Sequence, residues 1–307
     1  MADTGFHAGE LAVQRRAGVE AEAARLSRML EPVELTGGIV AFLAARTFAV
    51  LTARDNAGRL WVTPLTGSPG FLAVASPTTL AVSATIAQGD PLNGLAAGQP
   101  VGMAVVEFAA RRRVRINGIL SASTGGRLVV QVEQAYGNCP RYIQPRVLSP
   151  GDPGRAGAGD VRRDTVLSSG DAALIRSADT FFLGTTNPER GTDASHRGGP
   201  PGFVRVAGNQ LCWPDYPGNN LFNSFGNLAV DPAAALLFFD FTTGRTLQLS
   251  GTAQIEWGEP GRPGDDGHTG RAAQFTIGQV VSGNPVTVSC AAAGLGRRVR
   301  PAGRAAC

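Results

Sequence analysis

Two short polar blocks of the chain carry residue types that bind anionic groups. The first block is residues 193–199, DASHRGG, which combines a hydroxyl, an imidazole, a guanidinium and two glycines. Guanidinium groups and exposed backbone N–H groups are donors that phosphate oxygens recruit. The block therefore predicts a site for a phosphate or an oxidised ring. Its candidate contact residues are Ser195, His196, Arg197, Gly198 and Gly199.

The second block is residues 215–224, DYPGNNLFNS, which precedes or opens a short helix. Side-chain amides, a hydroxyl and the N–H groups at a helix N-terminus can together hold a phosphate. The candidate contacts in this block are Asn219, Asn220, Asn223 and Ser224.

The chain repeats itself at an offset of 132 or 133 residues. ARTFAVLTARDNAGR at 45–59 resembles ADTFFLGTTNPERG at 178–191, and RRVRINGILSAS at 112–123 matches RTLQLSGTAQIE at 245–256. A constant offset over about 80 residues implies two copies of one β-rich domain. Antiparallel strands with few helices predict a small barrel, which leaves no exposed sheet edge.

Both polar blocks fall in the second copy. The first copy has the largely apolar WVTPLTG at 61–67 and the donor-poor SATIAQGDPLNG at 83–94 in their place. This difference favours a site built in the second copy only. The alternative is structural, because such polar runs are also typical of hairpin loops and helix caps.

Composition and charge narrow the class of protein. Of 307 residues, 43% are hydrophobic and 17% charged, which excludes a wholly disordered chain. No apolar run approaches the roughly 20 residues of a membrane helix, and the first ten residues lack a secretory pattern, so we expect a cytoplasmic protein without a membrane partner. All 28 basic residues are arginines, mostly scattered, which disfavours nucleic-acid binding. The four cysteines form no C-x-x-C pair, and no metal site is predicted.

Local patterns assign the elements. Residues 14–30 have apolar residues at helical spacing and predict one amphipathic helix. The Arg111–Arg115 run is interpreted as a solvated hairpin tip, with a clamp for an anionic ligand as the alternative. The predicted units are a helical segment at 1–36, a first barrel with a degenerate site at 37–148, a linker at 149–163, a second barrel with the site at 164–282, and a tail at 283–307.

At these motifs the sequence resembles the pyridoxamine 5′-phosphate oxidase-like family of flavin-binding split β-barrels, in a bacterial subgroup with two barrels per chain. The resembling segments span about residues 6–282 and are FHAGELAVQRRAGV at 6–19, PLTGSPGFL at 64–72, GNCPRYIQPR at 137–146, DASHRGGPPGFV at 193–204, DYPGNNLFNSFGN at 215–227, LLFFDF at 236–241 and GRTLQLSGTAQI at 244–255. The resemblance implies a mainly β fold of tandem six-stranded split barrels, with an N-terminal helix and short flanking helices. It also implies FMN bound between barrels and a homodimer.

In this family, the strand that carries Arg197 lines the isoalloxazine ring. Family oxidases place an Arg-Lys pair on the FMN phosphate where this chain has Asn219-Asn220. Arg197, Ser195 or Ser224 is therefore expected to supply the missing donors.

Further candidates come from two other segments. A flavin-contacting glutamine of the family aligns with Thr246, which makes Thr246 and its neighbour Arg245 candidate cofactor contacts. Arg141 and Tyr142 are candidate substrate contacts from the segment after the first barrel.

We expect an FMN-dependent oxidoreductase that acts on a small molecule, with NAD(P)H as a candidate electron donor. His196 is the candidate catalytic residue, as a hydrogen-bond donor to the flavin or a proton carrier, because imidazole titrates near neutrality. The alternative is a loop histidine that orients the backbone. At the level of the whole protein, the alternatives are a non-catalytic flavin carrier and a haem protein with His196 as axial ligand. The substrate residues of true pyridoxamine phosphate oxidases are not recognisable, so their reaction is not predicted.

Overall fold

The computed structural model describes residues 5–31, 34–137, 139–150, 161–283 and 288–291. Strands dominate it and form two large antiparallel sheets with the same internal order. The mainly β fold of tandem split barrels is confirmed, but the repeated order contains seven strands and not the expected six, because a two-strand hairpin extends each sheet at one end. Within the described ranges, no helix is both long and apolar enough to cross a membrane.

The first sheet has seven strands around one apolar core. They are β1 (Phe48–Arg54), β2 (Leu60–Thr66), β3 (Leu72–Ser76), β4 (Thr79–Ser83), β5 (Pro100–Glu107), β6 (Arg112–Thr124) and β7 (Arg127–Gly137). Their order in the sheet is β2-β1-β5-β6-β7-β4-β3. The β1–β2 hairpin closes on a turn in which the Asp55 carboxylate accepts the N–H groups of Ala57 and Arg59.

The second sheet repeats this order as β11-β10-β14-β15-β16-β13-β12. The strands that follow the first sheet are β8 (Val147–Pro150), β9 (Arg162–Asp164), β10 (Thr180–Asn187), β11 (Gly191–Gly198), β12 (Arg205–Ala207), β13 (Gln210–Pro214), β14 (Ala233–Phe239), β15 (Thr246–Trp257), β16 (Arg271–Gly283) and β17 (Val288–Ala291). Strand β9 pairs with β16, and β17 pairs with β8. The predicted linker at 149–163 begins in β8 and ends in β9, and residues 151–160 lie outside the described ranges. Of the predicted tail, only residues 283 and 288–291 are described.

The helices are short. They are α1 (Ala8–Ala17), α2 (Glu20–Ala24), a 3-10 helix (Ser27–Leu30), α3 (Gly38–Ala44), α4 (Ser169–Ser177) and α5 (Asn223–Val230). The single helix predicted over 14–30 is wrong. Helix α1 is capped by Gly18 in a left-handed conformation (φ 68°), which terminates a helix at little cost only for glycine.

Side-chain alternation along the central strands builds three apolar cores. On β1, Leu51 packs inside the first barrel, whereas its neighbour Val50 packs in the layer between the barrels. On β10, Leu183 packs inside the second barrel and Phe182 in the shared layer. These strands are buried on both faces, which explains their continuous apolar sequences.

The layer between the barrels is aromatic and joins them into one unit. The Phe48 ring lies 5.7 Å from Phe182 and 5.6 Å from Phe239, measured between centroids. Arg146, just before β8, pairs with Asp179 at 2.5 Å. This packing brings β6 of the first barrel against β11 of the second.

Candidate functional site

A cavity lies where β6 of the first barrel meets β11 and the segment after β13 of the second barrel. The centre of a water-sized sphere can reach about 110 Å³ of this cavity. At roughly 10–15 Å³ for each water-sized group, that is room for about eight such groups. Side chains of both barrels contribute to the lining.

Most of the predicted site residues line this cavity. They are Arg141, Tyr142, His196, Arg197, Gly198, Asn219, Asn220, Asn223 and Ser224. Ser195 does not line it and is fully buried within the second barrel. Gly199 packs against the ring of Phe203 instead.

Arg245 and Thr246 are not brought to the cavity. Arg245 donates hydrogen bonds to Asp171 at 2.6 Å and to Ser282 at 2.9 Å. Thr246 pairs with Phe239 in the second sheet, as Arg113 pairs with Val106 in the first. Of these two equivalent residues, Arg113 of the first barrel is therefore the one that lines the cavity.

Two arginines of β6 line the cavity although the sequence predicts a solvated hairpin tip there. Arg113 and Arg115 are two positions apart, so they lie on one face of the strand, and this face turns to β11. Arg115 is buried, and its Nη1 donates to Asp193 Oδ2 at 3.0 Å. Only Arg111 and Arg112, at the start of the strand, remain exposed. The hairpin-tip interpretation is therefore wrong for Arg113 and Arg115, and strand alternation is the signal that finds them.

Arg113 crosses the interface to His196. Its Nη1 donates to the His196 carbonyl oxygen at 3.1 Å and lies 3.2 Å from Nδ1 of the ring. The imidazole is flanked by the rings of Phe108 and Phe182. Burial, together with the nearby arginines, holds the pKa of His196 well below its ordinary value. A ring that stays neutral is suited to accept a hydrogen bond from Arg113 and is unsuited to carry a proton.

On the second-barrel wall, Asp215 lies between two arginines. Arg271 Nε donates to Asp215 Oδ2 at 2.9 Å, and Arg197 Nη1 lies 3.9 Å from Oδ1. Arg197 also lies over the ring of Phe225, 5.6 Å from its centroid. Burial lowers the pKa of Arg197 to about 10, against the opposing effect of Asp215. Two cations share one carboxylate, so this wall has excess positive charge. Nothing in the sequence marks Arg271 as a site residue, because it enters through a distant strand.

Several buried donors on the cavity walls lack a hydrogen-bond partner within the described part of the chain. They are Nε of Arg113, Arg115 and Arg197, Nε1 of Trp213 and, with Nδ1 accepting from Arg113, Nε2 of His196. Each unsatisfied buried donor costs about 1–3 kcal/mol. An anion bound between the walls would satisfy several of them at once. The donor set therefore fits a phosphate group.

Strained backbone and one close approach shape the walls. Tyr142, Asn220 and Phe222 adopt left-handed φ values of 67°, 60° and 58°, a conformation that costs non-glycine residues about 1–3 kcal/mol and is frequent at functional sites. A Cβ on Gly198 would lie 2.0 Å from the carbonyl oxygen of Tyr142, so glycine is required there. The ring of Tyr142 stacks on Tyr216 with centroids 4.8 Å apart and forms one side of the cavity.

Helix α1 supports the second-barrel wall from behind. Gly9 approaches α5 so closely that a Cβ would lie 2.1 Å from the carbonyl oxygen of Gly226. The Asn223 side-chain amide donates to the Glu10 carboxyl at 2.5 Å. Burial raises the pKa of Glu10 to about 7. The sequence alone does not mark this buried carboxyl, because the helix that carries it reads as an ordinary amphipathic segment.

Comparison with known proteins separates the two halves of the chain. Residues 171–262 match the family model of pyridoxamine 5′-phosphate oxidase. The second barrel is a pyridoxamine 5′-phosphate oxidase-like split barrel. The match to this oxidase-like barrel includes β11 and the segment after β13, which form one wall of the cavity. No curated protein matches the chain.

Solved structures similar to the chain correspond to less than half of it. HupZ from Group A Streptococcus is 11% identical, with 39% of this chain and 97% of that chain covered and a TM-score of 0.32. A protein from Lactobacillus delbrueckii assigned as a pyridoxamine 5′-phosphate oxidase is 13% identical, with 38% and 94% covered and a TM-score of 0.30. The FAD binding protein from Mycobacterium smegmatis is 14% identical, with 39% and 96% covered and a TM-score of 0.27.

Proposed function

We propose that the chain is an FMN-dependent oxidoreductase whose flavin binds in the cavity between the barrels. The observation that carries this proposal is the set of unpartnered buried donors on the walls, above all that of Arg197 on the second-barrel wall. The match of the second barrel to pyridoxamine 5′-phosphate oxidase supports a flavin as the ligand that satisfies them.

The excess positive charge of the second-barrel wall supports this wall as the site of the FMN phosphate. Arg197 and Arg271 are opposed there by Asp215 alone. Arg141 joins this wall by donating to the carbonyl oxygen of Pro217 at 3.4 Å. Three cations against one carboxylate leave two positive charges, which match the charge of about −1.5 to −2 on a phosphate monoester.

Neutral donors on the same wall complete the phosphate site. The side-chain amides of Asn220 and Asn223 line the cavity, whereas the hydroxyl of Ser224, which also lines it, already donates to Asp193. Asn219 and Asn220 stand where family oxidases have an Arg-Lys pair, so in this proposal the charged donors come from Arg197, Arg271 and Arg141 instead.

A bound flavin supplies hydride transfer, and the residues of the chain bind and orient it. The volume given above is large enough for a phosphate group. The ring system would extend to the open side, where Tyr142 and Tyr216 stack. Neutral His196, held by Arg113, would act as a hydrogen-bonding group and orient neighbouring groups.

A second candidate function is flavin binding without catalysis. Two titratable side chains of the cavity favour this candidate. His196 stays neutral, and Asp215 is held between Arg197 and Arg271. His196 is not poised to exchange a proton with a substrate near neutral pH, and the carboxyl of Asp215, whose pKa burial raises, is held in its ion pairs. A reaction limited to hydride transfer would not need such a group, and neither would a carrier.

The haem alternative fits the geometry poorly. His196 would have to present Nε2 to the iron, because Nδ1 lies 3.2 Å from Arg113 Nη1, but the imidazole is buried between the rings of Phe108 and Phe182. We therefore do not propose haem binding.

The proposal is tested by titrating FMN into the purified chain and following flavin fluorescence. We expect one FMN per chain for the wild type, retention of binding in Arg245→Gln and its loss in Arg197→Gln. Circular dichroism on each variant checks the fold. Absence of FMN binding by the folded wild type would refute the proposal.

Turnover then separates enzyme from carrier. The FMN-loaded chain is assayed for oxidation of NADH and NADPH with oxygen and with artificial acceptors. Steady oxidation supports the oxidoreductase, whereas stable FMN binding without turnover of any donor supports the carrier. Sedimentation of the same sample tests the homodimer, which we propose from the family resemblance with one cavity in each chain.

A further inference from the structure

The two walls of the cavity differ in the charge that they leave unbalanced. On the second-barrel wall, the charge of a phosphate dianion balances the two excess positive charges. The first-barrel wall consists of Arg113 and Arg115, opposed by the single carboxylate of Asp193. It therefore keeps one positive charge after the cofactor phosphate is bound.

Arg115 is not the source of this excess charge. Its Nη1 lies 3.0 Å from Asp193 Oδ2. The hydroxyl of Ser224 donates to the same carboxylate oxygen at 3.3 Å, which fixes the pair at the base of the wall. Arg115 and Asp193 thus form a buried and neutralised unit.

Arg113 carries the unbalanced charge. Within the described residues, its side chain forms no ion pair with a carboxylate, and its hydrogen-bond partners belong to His196. Its Nε is buried without a partner. Burial, with Arg115 and Arg197 nearby, lowers the pKa of Arg113 to about 9. Asp193 opposes this shift but is already ion-paired with Arg115, so the desolvated guanidinium has no counter-ion of its own among the described residues, and such groups cluster at ligand sites.

The internal repeat shows that the fold does not need this charge. The residue equivalent to Arg113 in the second barrel is Thr246, which has the same place in its sheet. The same strand pairing therefore forms with an uncharged side chain at that position. The charge of Arg113 belongs to the cavity.

We propose that the substrate of the flavin site is a small carboxylate, bound through Arg113. This inference rests on the function proposed above. A carboxylate brings the one negative charge that the first-barrel wall lacks, whereas a second phosphate dianion would exceed it. The two carboxylate oxygens also match the planar N–H pairs of a guanidinium.

The test uses matched carboxylates and amides on the FMN-loaded chain. Acetate, propionate and benzoate are titrated beside acetamide, propionamide and benzamide, and binding is followed by calorimetry and by the visible spectrum of the flavin. For the wild type, we expect at least one carboxylate to bind ten-fold or more tightly than its amide. Arg113→Met should remove this preference, and Arg113→Lys should restore part of it because it keeps the charge without the planar fork.

Arg112→Met is the control, because it removes the same charge from the exposed neighbouring position on β6. FMN affinity is measured on every variant. If carboxylates and amides bind the wild type alike, or if Arg113→Met keeps the preference, the inference is overturned. If Arg113→Met loses FMN while still folded, Arg113 holds the cofactor phosphate and the inference is again overturned, although the proposed function stands. Failure of the wild type to bind FMN would instead refute the proposed function.

Discussion

The two barrels meet through two equivalent strand contacts, and the described cavity lies at one of them. Strand β11 packs on β5 and β6, and in the other half β2 packs on β14 and β15 in the same way. Arg197 on β11 pairs with Phe181, as Leu65 on β2 pairs with Ala49. We call these the open contact and the sealed contact.

In the sealed contact, the donors of Gln248 and Thr63 find acceptors nearby, whereas Gln248 Oε1 and Thr52 Oγ1 have no partner among the described residues. Gln248, the equivalent of Arg115, donates from Nε2 to the Val62 carbonyl oxygen at 3.0 Å and to Asp90 Oδ2 at 2.9 Å. The Thr63 hydroxyl also donates to the buried Asp90. The amide of Gln248 finds its acceptors locally, whereas three arginines of the open contact keep unpartnered Nε groups. The same arrangement of strands therefore forms either a packed contact or a ligand site, depending on the side chains at equivalent positions.

The largest effect is expected from placing an arginine in the sealed contact. Leu65 is buried in the core of the first barrel. Leu65→Arg would bury a charge without an acidic partner of its own, so we expect the free energy of unfolding to fall by about 5 kcal/mol. Urea unfolding followed by circular dichroism measures this loss.

Leu65→Met is the control for packing at this position, and its expected cost is below about 1.5 kcal/mol. A Leu65→Arg protein that stays folded and binds a second FMN would contradict the expected loss of stability. It would show that this one side chain decides between the open and the sealed contact.

In the open contact, Arg115→Met should cost about 3 to 5 kcal/mol. The substitution leaves the Asp193 carboxylate buried without its ion-pair partner, which is costlier than losing the pair as a whole. Adding Asp193→Asn should recover most of the loss. Denaturant unfolding of both variants tests this, and a double variant no more stable than Arg115→Met would contradict the ion-pair explanation.

The open contact also shows what a sequence can and cannot predict. The repeat and the polar block predict the barrels and place His196, Arg197 and Gly198 at the site, because strand periodicity and turn residues are local signals. Arg113 belongs to a run of arginines that resembles an exposed tip, and its partners come from β11, which lies about 80 residues away in the chain. Arg271 reaches the cavity through β16, and no local pattern records that approach. The sequence also directs attention to Thr246, since the family alignment does not tell which barrel faces the cavity.

A smaller, pH-dependent effect is expected behind the open contact. Burial raises the pKa of Glu10 from 4.5 to about 7. As the pH rises, this carboxyl ionises in the unfolded chain before it ionises in the folded protein. The Glu10 carboxyl therefore lowers the free energy of unfolding increasingly from about pH 4.5 to pH 7, and its effect is constant above pH 7. Glu10→Gln should therefore stabilise the protein by up to about 3 kcal/mol at pH 8 and have little effect at pH 4. Urea midpoints across this range measure the difference.

His7 acts in the opposite direction over part of the same range. Burial lowers the pKa of His7 to about 4, so its contribution is complete above pH 6.5 and is lost as the pH falls towards 4. The two groups oppose each other between about pH 4.5 and 6.5. In Glu10→Gln only the His7 slope should remain, and a pH profile parallel to that of the wild type would show that Glu10 does not titrate in this range.

The smallest effect on stability, with the largest on binding, is expected for the reverse exchange, Arg197→Leu, which gives the open contact the residue of the sealed one. Asp215 keeps its closer partner Arg271 at 2.9 Å and loses only the cation at 3.9 Å. Removing a desolvated charge offsets the loss of this weak pair, so the free energy of unfolding without ligand should change by less than about 1 kcal/mol. FMN titration should nevertheless show loss of binding.

Arg271→Leu is the matched control, because it removes the close partner of the buried Asp215 and should lower stability as well as binding. Equal destabilisation by both variants would mean that Arg197 is part of the packed core of the barrel, and that the charge of the open contact is not held there for a ligand.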